Sequence, residues 1–338
     1  MIEGHGDDTF RYGDKVCHNF STNICSAVDH SALTAHLAKS GDCLTTYPEP
    51  TPSEVEALLA GLLGIEAGEV MVTNGATEAI YLTAHLLQGR KSAIVVPTFR
   101  EYQDACRLYG HEIEFVNDVG QINETSDAVW LCNPNNPDGR VTDKKILLAS
   151  VDRQEQTDRL WVIDQAYADY TALPLISPGE AVSRTNVILL HSLTKRFAVP
   201  GLRIGYAIGS RSLMDRLQAL RMPWSVNSLA IEGAKFLLVH PDDYRIDADG
   251  LHSEAVRLGR GMEEMGIAVS PTDCNFILCR LPEGSASTLK EYMVEHHGIL
   301  IRDASNFEGL DGRYFRVAAQ TPQENDMFLN ALRQWMKS

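Results

Sequence analysis

Five short runs of aliphatic and β-branched residues, each ending at a polar, aromatic or glycine-containing turn, constrain this chain more than any other feature. They are Glu69-Val70-Met71-Val72, Ser92-Ala93-Ile94-Val95-Val96, Ala128-Val129-Trp130-Leu131, Leu160-Trp161-Val162-Ile163 and Val187-Ile188-Leu189-Leu190. Runs this short and nearly free of charge read as strands buried on both faces. Arg203 to Ile208 reads as a further strand, and helical stretches separate most of them. Strands alternating with helices predict an α/β fold with a largely parallel sheet. Ligands of such sheets bind beyond the carboxyl ends of the strands, so the residues after these runs are expected to meet in one crevice.

Those residues carry chemistry. The run Val187 to Leu190 leads into Ser192-Leu193-Thr194-Lys195, and Arg203 follows the lysine by eight residues. A lysine at a strand end can lose its charge by desolvation and attack a carbonyl. Another run ends at Asp164, with Ala166 and Tyr167 just behind it. A Schiff-base lysine with an aspartate partner points to pyridoxal 5'-phosphate (PLP). Gly75-Ala76-Thr77 opens a helix whose free amides suit a phosphate group. Phe99 and Asn136 stand in two further post-strand turns. Each residue alone has an ordinary reading as a surface lysine, a turn or a helix cap. Their order along the chain favours one shared site.

The chain has 338 residues, 44% of them hydrophobic, enough for a large and a smaller domain. We expect an N-terminal arm over residues 1–45 that also contributes to the small domain, a large domain over 46–245 and a small α+β domain over 246–338. The small domain should contain strands at Asn275 to Arg280, Ile299 to Ile301 and Tyr314 to Ala318, with helices between and after them. A net charge of −15 argues against nucleic-acid and anionic-membrane surfaces, which need basic stripes. Seven cysteines without a CxxC pair fit a reducing cytoplasm better than a disulfide framework, and no metal site is expected. No apolar run approaches a membrane span.

On the motifs quoted above, the chain from about Asn23 to Arg316 resembles the fold-type I PLP enzymes of the class I/II aminotransferase group. Within it, the sequence is most similar to L-threonine-O-3-phosphate decarboxylases and next to histidinol-phosphate aminotransferases. That branch is suggested by His191-Ser192-Leu193-Thr194-Lys195, Pro223-Trp224-Ser225-Val226-Asn227 and Ile301-Arg302-Asp303-Ala304-Ser305-Asn306-Phe307. The resemblance implies the aspartate aminotransferase-like fold, PLP as cofactor and a homodimer with shared active sites. It implies Lys195 as the Schiff-base lysine, Asp164 as partner of the pyridine nitrogen, and Asn136 and Tyr167 at the ring hydroxyl. Phe99 and Ala166 would flank the ring. Gly75, Ala76, Thr77, Ser192 and Arg203 would form the phosphate cup, with Tyr47 reaching it from the neighbouring subunit. Arg316 would grip the substrate α-carboxylate, Arg302 a distal phosphate, and Asn23 and His5 would add substrate contacts.

The same resemblance implies a small phosphorylated amino acid or amine as substrate. Decarboxylation of L-threonine phosphate, a step of cobalamin side-chain synthesis, is favoured over transamination of histidinol phosphate with 2-oxoglutarate. Gln320 stands about where decarboxylase relatives carry a further arginine, a departure that bears on the substrate. A cofactor-binding regulator would usually require an added DNA-binding region, for which neither the length nor the charge leaves an obvious place. A dinucleotide dehydrogenase or phosphotransferase would need GxGxxG or GxxxxGK[ST], and the chain has neither.

Overall fold

The computed structural model describes residues 8–153 and 159–337. A seven-stranded sheet dominates it, built from β2 (Val70–Thr73), β3 (Lys91–Val95), β4 (Glu112–Val116), β5 (Ala128–Cys132), β6 (Leu160–Asp164), β7 (Val187–Ser192) and β8 (Gly205–Gly209), following the two-residue β1 (His18–Asn19). The order across the sheet is β2-β8-β7-β6-β5-β3-β4. All pairings are parallel except the two made by β8, which runs antiparallel to β2 and β7. Strand β4 has no counterpart in the expected set: three of its five residues are exposed, and Glu112 and Glu114 break the apolar run that marks its neighbours.

Side chains alternate between two cores. Val70, Val72, Val129, Leu131, Trp161, Ile163, Val187 and Leu189 pack on one face of the sheet, with the helices Ser53–Leu63 and Ser228–Val239. Met71, Ile94, Trp130, Val162, Ile188 and Leu190 pack on the other, with the helices Gly75–Leu86 and Glu101–Leu108. Burial on both faces explains why these strands read as unbroken apolar runs.

A second sheet of order β12-β13-β10-β9 is antiparallel, formed by β9 (Ala268–Val269), β10 (Phe276–Arg280), β12 (Arg302–Asp303) and β13 (Tyr314–Ala318). The helices Ala248–Glu263, Ala286–His297 and Pro322–Trp335 share its core. Strand β1 pairs in parallel with β11 (Ile299–Leu300), and the adjacent Phe20 is fully buried against Phe328 with ring centroids 5.2 Å apart. From Asp8 to Phe20 the chain is therefore tied to the elements of this second sheet's core. Thr9–Tyr12 forms a helical turn, and Asp8, Tyr12 and Lys15 pair with Lys290, Glu291 and Glu295 on one helix.

Strand β2 lies at the edge of the large sheet and leads into the Gly75 turn, so its outward peptide groups need partners. A buried ion pair supplies them at Val72. Its N–H donates to Glu56 Oε1 at 3.0 Å, its carbonyl accepts from Arg221 Nη1 at 2.9 Å, and Arg221 Nη1 also donates to Glu56 at 2.9 Å. Removing one member leaves the other charge buried, which costs about 3–5 kcal/mol. Arg221→Ala should accordingly lower the unfolding free energy measured in urea by about that amount. A loss below about 1 kcal/mol would mean that water replaces the pair without cost.

Candidate active site

Beyond the carboxyl ends of β2, β5, β6 and β7 lies a cavity of about 230 Å³. Its lining includes Asn23, Ala76, Thr77, Phe99, Asn136, Asp164, Ala166, Tyr167, Ser192, Lys195, Arg203, Arg302 and Arg316, all expected from the sequence. Gly75 sits behind them at the start of its helix. Tyr47 is not brought there: it is 87% exposed and packs on Trp224 at 5.7 Å between ring centroids. His5 lies outside the described residues. Gln320 is buried but does not line the cavity.

Asp164 forms the acidic end. Its Oδ2 accepts from the Tyr102 hydroxyl at 2.7 Å and its Oδ1 from the Ala166 amide at 2.8 Å. Burial raises its pKa, while Tyr102, the Ala166 amide and the nearby Lys195 pull it back. A buried carboxylate held by two donors and facing a lysine suits a cationic heterocycle. Lys195 lies in the helical turn Leu193–Arg196 directly after β7, with Nζ 5.8 Å from the centre of the Tyr167 ring.

At another end, glycine geometry makes room. Gly75 has φ +74°, and a Cβ there would stand 2.7 Å from Arg203 Nη2. A Cβ on Gly205 would meet the Ala76 amide nitrogen at 2.5 Å. The guanidinium of Arg203, the helix start at Ala76 and Thr77, and Ser192 thus converge on one spot, a donor set that fits a phosphate.

The roof comes from the small sheet. Arg302 on β12 and Arg316 on β13 are directly paired across the two strands, and both are buried. Arg316 donates to Asn136 Oδ1 and, at 2.6 Å, to the Ser21 carbonyl, while its Nε has no partner. Arg302 donates to Asn306 Oδ1 at 2.7 Å and lies over the Phe307 ring. Burial lowers both pKa values to about 10; Arg316 further lowers that of Arg302, and Tyr167 partly offsets the shift at Arg316. Asn23 is buried without a well-formed hydrogen bond, though close enough to Tyr167 to lower its pKa against the upward pull of burial.

Residues 16–332 match the family described as aminotransferase class I and II. The chain belongs to that family. It is similar to the crystal structure of L-threonine-O-3-phosphate decarboxylase from Porphyromonas gingivalis, at 37% identity and a TM-score of 0.92, covering 95% of this chain and 100% of that one. It is 30% identical to a threonine-phosphate decarboxylase of Salmonella typhimurium, over 93% of this chain and 90% of the relative. A histidinol-phosphate aminotransferase of Methanococcus aeolicus is also 30% identical, over 85% and 81%. The fold is that of the PLP-dependent aminotransferases, a family that uses PLP. The phosphate-suited cup, the lysine and the buried carboxylate of this aminotransferase-family chain fit that cofactor.

The sequence reading missed Tyr102, Arg100, Phe307, Ser21 and Thr22 in the lining. Tyr102 had a signal, since it stands one helical turn after Phe99. The Tyr102→Phe variant removes a donor from a buried carboxylate, so the Asp164 pKa should rise further. Carboxyl carbon shifts of aspartate-labelled protein against pH measure this; an unchanged titration would leave the phenol with packing alone.

Proposed function

We propose that this protein is a PLP-dependent decarboxylase of L-threonine-O-3-phosphate, consistent with a role in cobalamin side-chain synthesis. The observation that carries the reading is the pair Arg302 and Arg316, two buried like charges directly opposed on neighbouring strands. Like charges so placed are destabilising unless something anionic lies between them and solvent. A substrate with an α-carboxylate and a distal phosphate provides two anionic ends. The relatives named as threonine-phosphate decarboxylases support the same choice.

When bound, the cofactor supplies an electron sink for the pair released from a bond at the substrate's α-carbon. Asp164 would hold a positive charge at the ring nitrogen, and Tyr102 and the Ala166 amide aim that carboxylate and favour its ionised form. Asn136 and Tyr167 would bond the ring hydroxyl, Phe99 and Ala166 would flank the ring, and Ser192, Arg203 and the Ala76 and Thr77 amides would hold the cofactor phosphate. Lys195 Nζ would hold the cofactor covalently and would move protons near the α-carbon. Arg316 holds the carboxylate, Arg302 the phosphate, and Asn23 closes over them. Two fixed ends would orient the substituents of the α-carbon and so select the bond that breaks, using remote binding energy to favour that geometry.

Purified holoenzyme incubated with L-threonine phosphate should release carbon dioxide and aminopropanol phosphate. Arg302→Ala should abolish most of that turnover and leave cofactor absorbance in place. Glutamate formed from histidinol phosphate and 2-oxoglutarate, without carbon dioxide from the first substrate, would assign the protein to transamination instead.

The reading includes a homodimer in which Tyr47 reaches the partner's cofactor phosphate. Tyr47, Trp224, Met222 and Leu44 are 87%, 51%, 73% and 66% exposed, and a second copy of this surface would cover them. It also divides the chain at about residue 245 and places the protein in the cytoplasm, where seven free cysteines would stay reduced. Among the described residues no helix is long and apolar enough to cross a membrane. Mixing inactive Lys195→Ala and Tyr47→Phe chains should restore part of the activity through hybrid sites; a fully active monomer would contradict the arrangement.

A further inference from the structure

One cation of the cavity has no role in the assignments above. Arg100 follows Phe99 at the start of the helix Glu101–Leu108, and it lines the same cavity as Arg302 and Phe307. Its side chain is 30% exposed. Its Nε lies 3.4 Å from Asp104 Oδ2, an ion pair in which that nitrogen makes no hydrogen bond. Arg100 and Arg302 stand close enough for the first to lower the pKa of the second. Among the described residues the lining holds five basic side chains, Arg100, Lys195, Arg203, Arg302 and Arg316, and a single acid, Asp164. Asp164 is engaged by Tyr102; of the two acids that act on Arg302, Asp303 accepts from the Ser305 amide and Asp8 is paired with Lys290, both outside the lining.

We propose that Arg100 is a specificity-determining residue that joins Arg302 in a two-guanidinium site for the distal phosphate of the substrate. The inference rests on the phosphorylated-substrate reading given above and deepens it. A phosphate monoester carries about −1.5 to −2 charge at neutral pH, so one arginine leaves it under-neutralised. Two planar forks meet the terminal oxygens from two directions, which an unphosphorylated hydroxyl cannot exploit. Asp104 is the counterion at rest. A partly exposed pair of this geometry is weak, so the guanidinium turns from Asp104 to the phosphate as the substrate enters.

The test compares wild-type, Arg100→Ala, Arg100→Lys and Asp104→Asn holoenzymes. Each is mixed rapidly with O-phospho-L-threonine and, separately, with L-threonine, and binding is read from the cofactor absorbance. Wild type should prefer the phosphorylated compound. In Arg100→Ala its affinity should fall roughly ten- to one-hundredfold, the weight of one charge-assisted contact, with L-threonine changed less than about twofold. Arg100→Lys should recover part of the loss, and Asp104→Asn should tighten the phosphorylated ligand. Equal weakening for both ligands, an unchanged preference in Arg100→Ala, or parallel losses in Arg100→Ala and Asp104→Asn would overturn the role of Arg100 alone. A wild-type enzyme without preference for the phosphorylated ligand would overturn the substrate reading itself.

Discussion

Burying charge is the constraint on which the rest of this structure depends. Asp164, Arg302 and Arg316 are each at least 94% buried, and Lys195 lies beside Asp164. An unpaired ion in such surroundings costs several kcal/mol, more than any surface contact returns. The fold must therefore bring donors to Asp164 and acceptors to the arginines. Tyr102 and the Ala166 amide serve the carboxylate, and Asn136, Asn306 and the Ser21 carbonyl serve the guanidinium groups.

Two sheets share this work. The large sheet delivers its groups at the carboxyl ends of parallel strands, where turns and helix starts expose amides. The small antiparallel sheet delivers arginines from the register of two strands. Arg316 joins the two sheets, because from β13 it reaches both Asn136, beyond β5, and the Ser21 carbonyl. The edge of the large sheet is fixed separately by Glu56 and Arg221 at Val72, three residues before the Gly75 turn.

Much of the site was legible because its parts follow buried strands. An apolar run followed by Lys195, or ending at Asp164, can be read without knowing what lies beside it. Tyr102 was harder, since a tyrosine on an amphipathic helix reads as core until its hydroxyl is seen to meet Asp164. Arg100 carried no signal of its own, since an arginine is ordinarily a surface residue. Strand β4 was missed because its charged, half-exposed residues do not carry the signature of its neighbours.

The sequence by itself determined the alternation of strands and helices through most of the large sheet, its largely parallel core and the residue types at its carboxyl ends. These follow from local patterns of burial and turn chemistry, which are written within a few consecutive residues. Tertiary structure decided that Arg302 faces Arg316, that β1 pairs with β11, and that Arg100 shares a cavity with both arginines. Such pairings join residues up to 281 positions apart (299 − 18), as between His18 and Ile299. Strand register and the packing of one unit on another set them, and no local pattern records either.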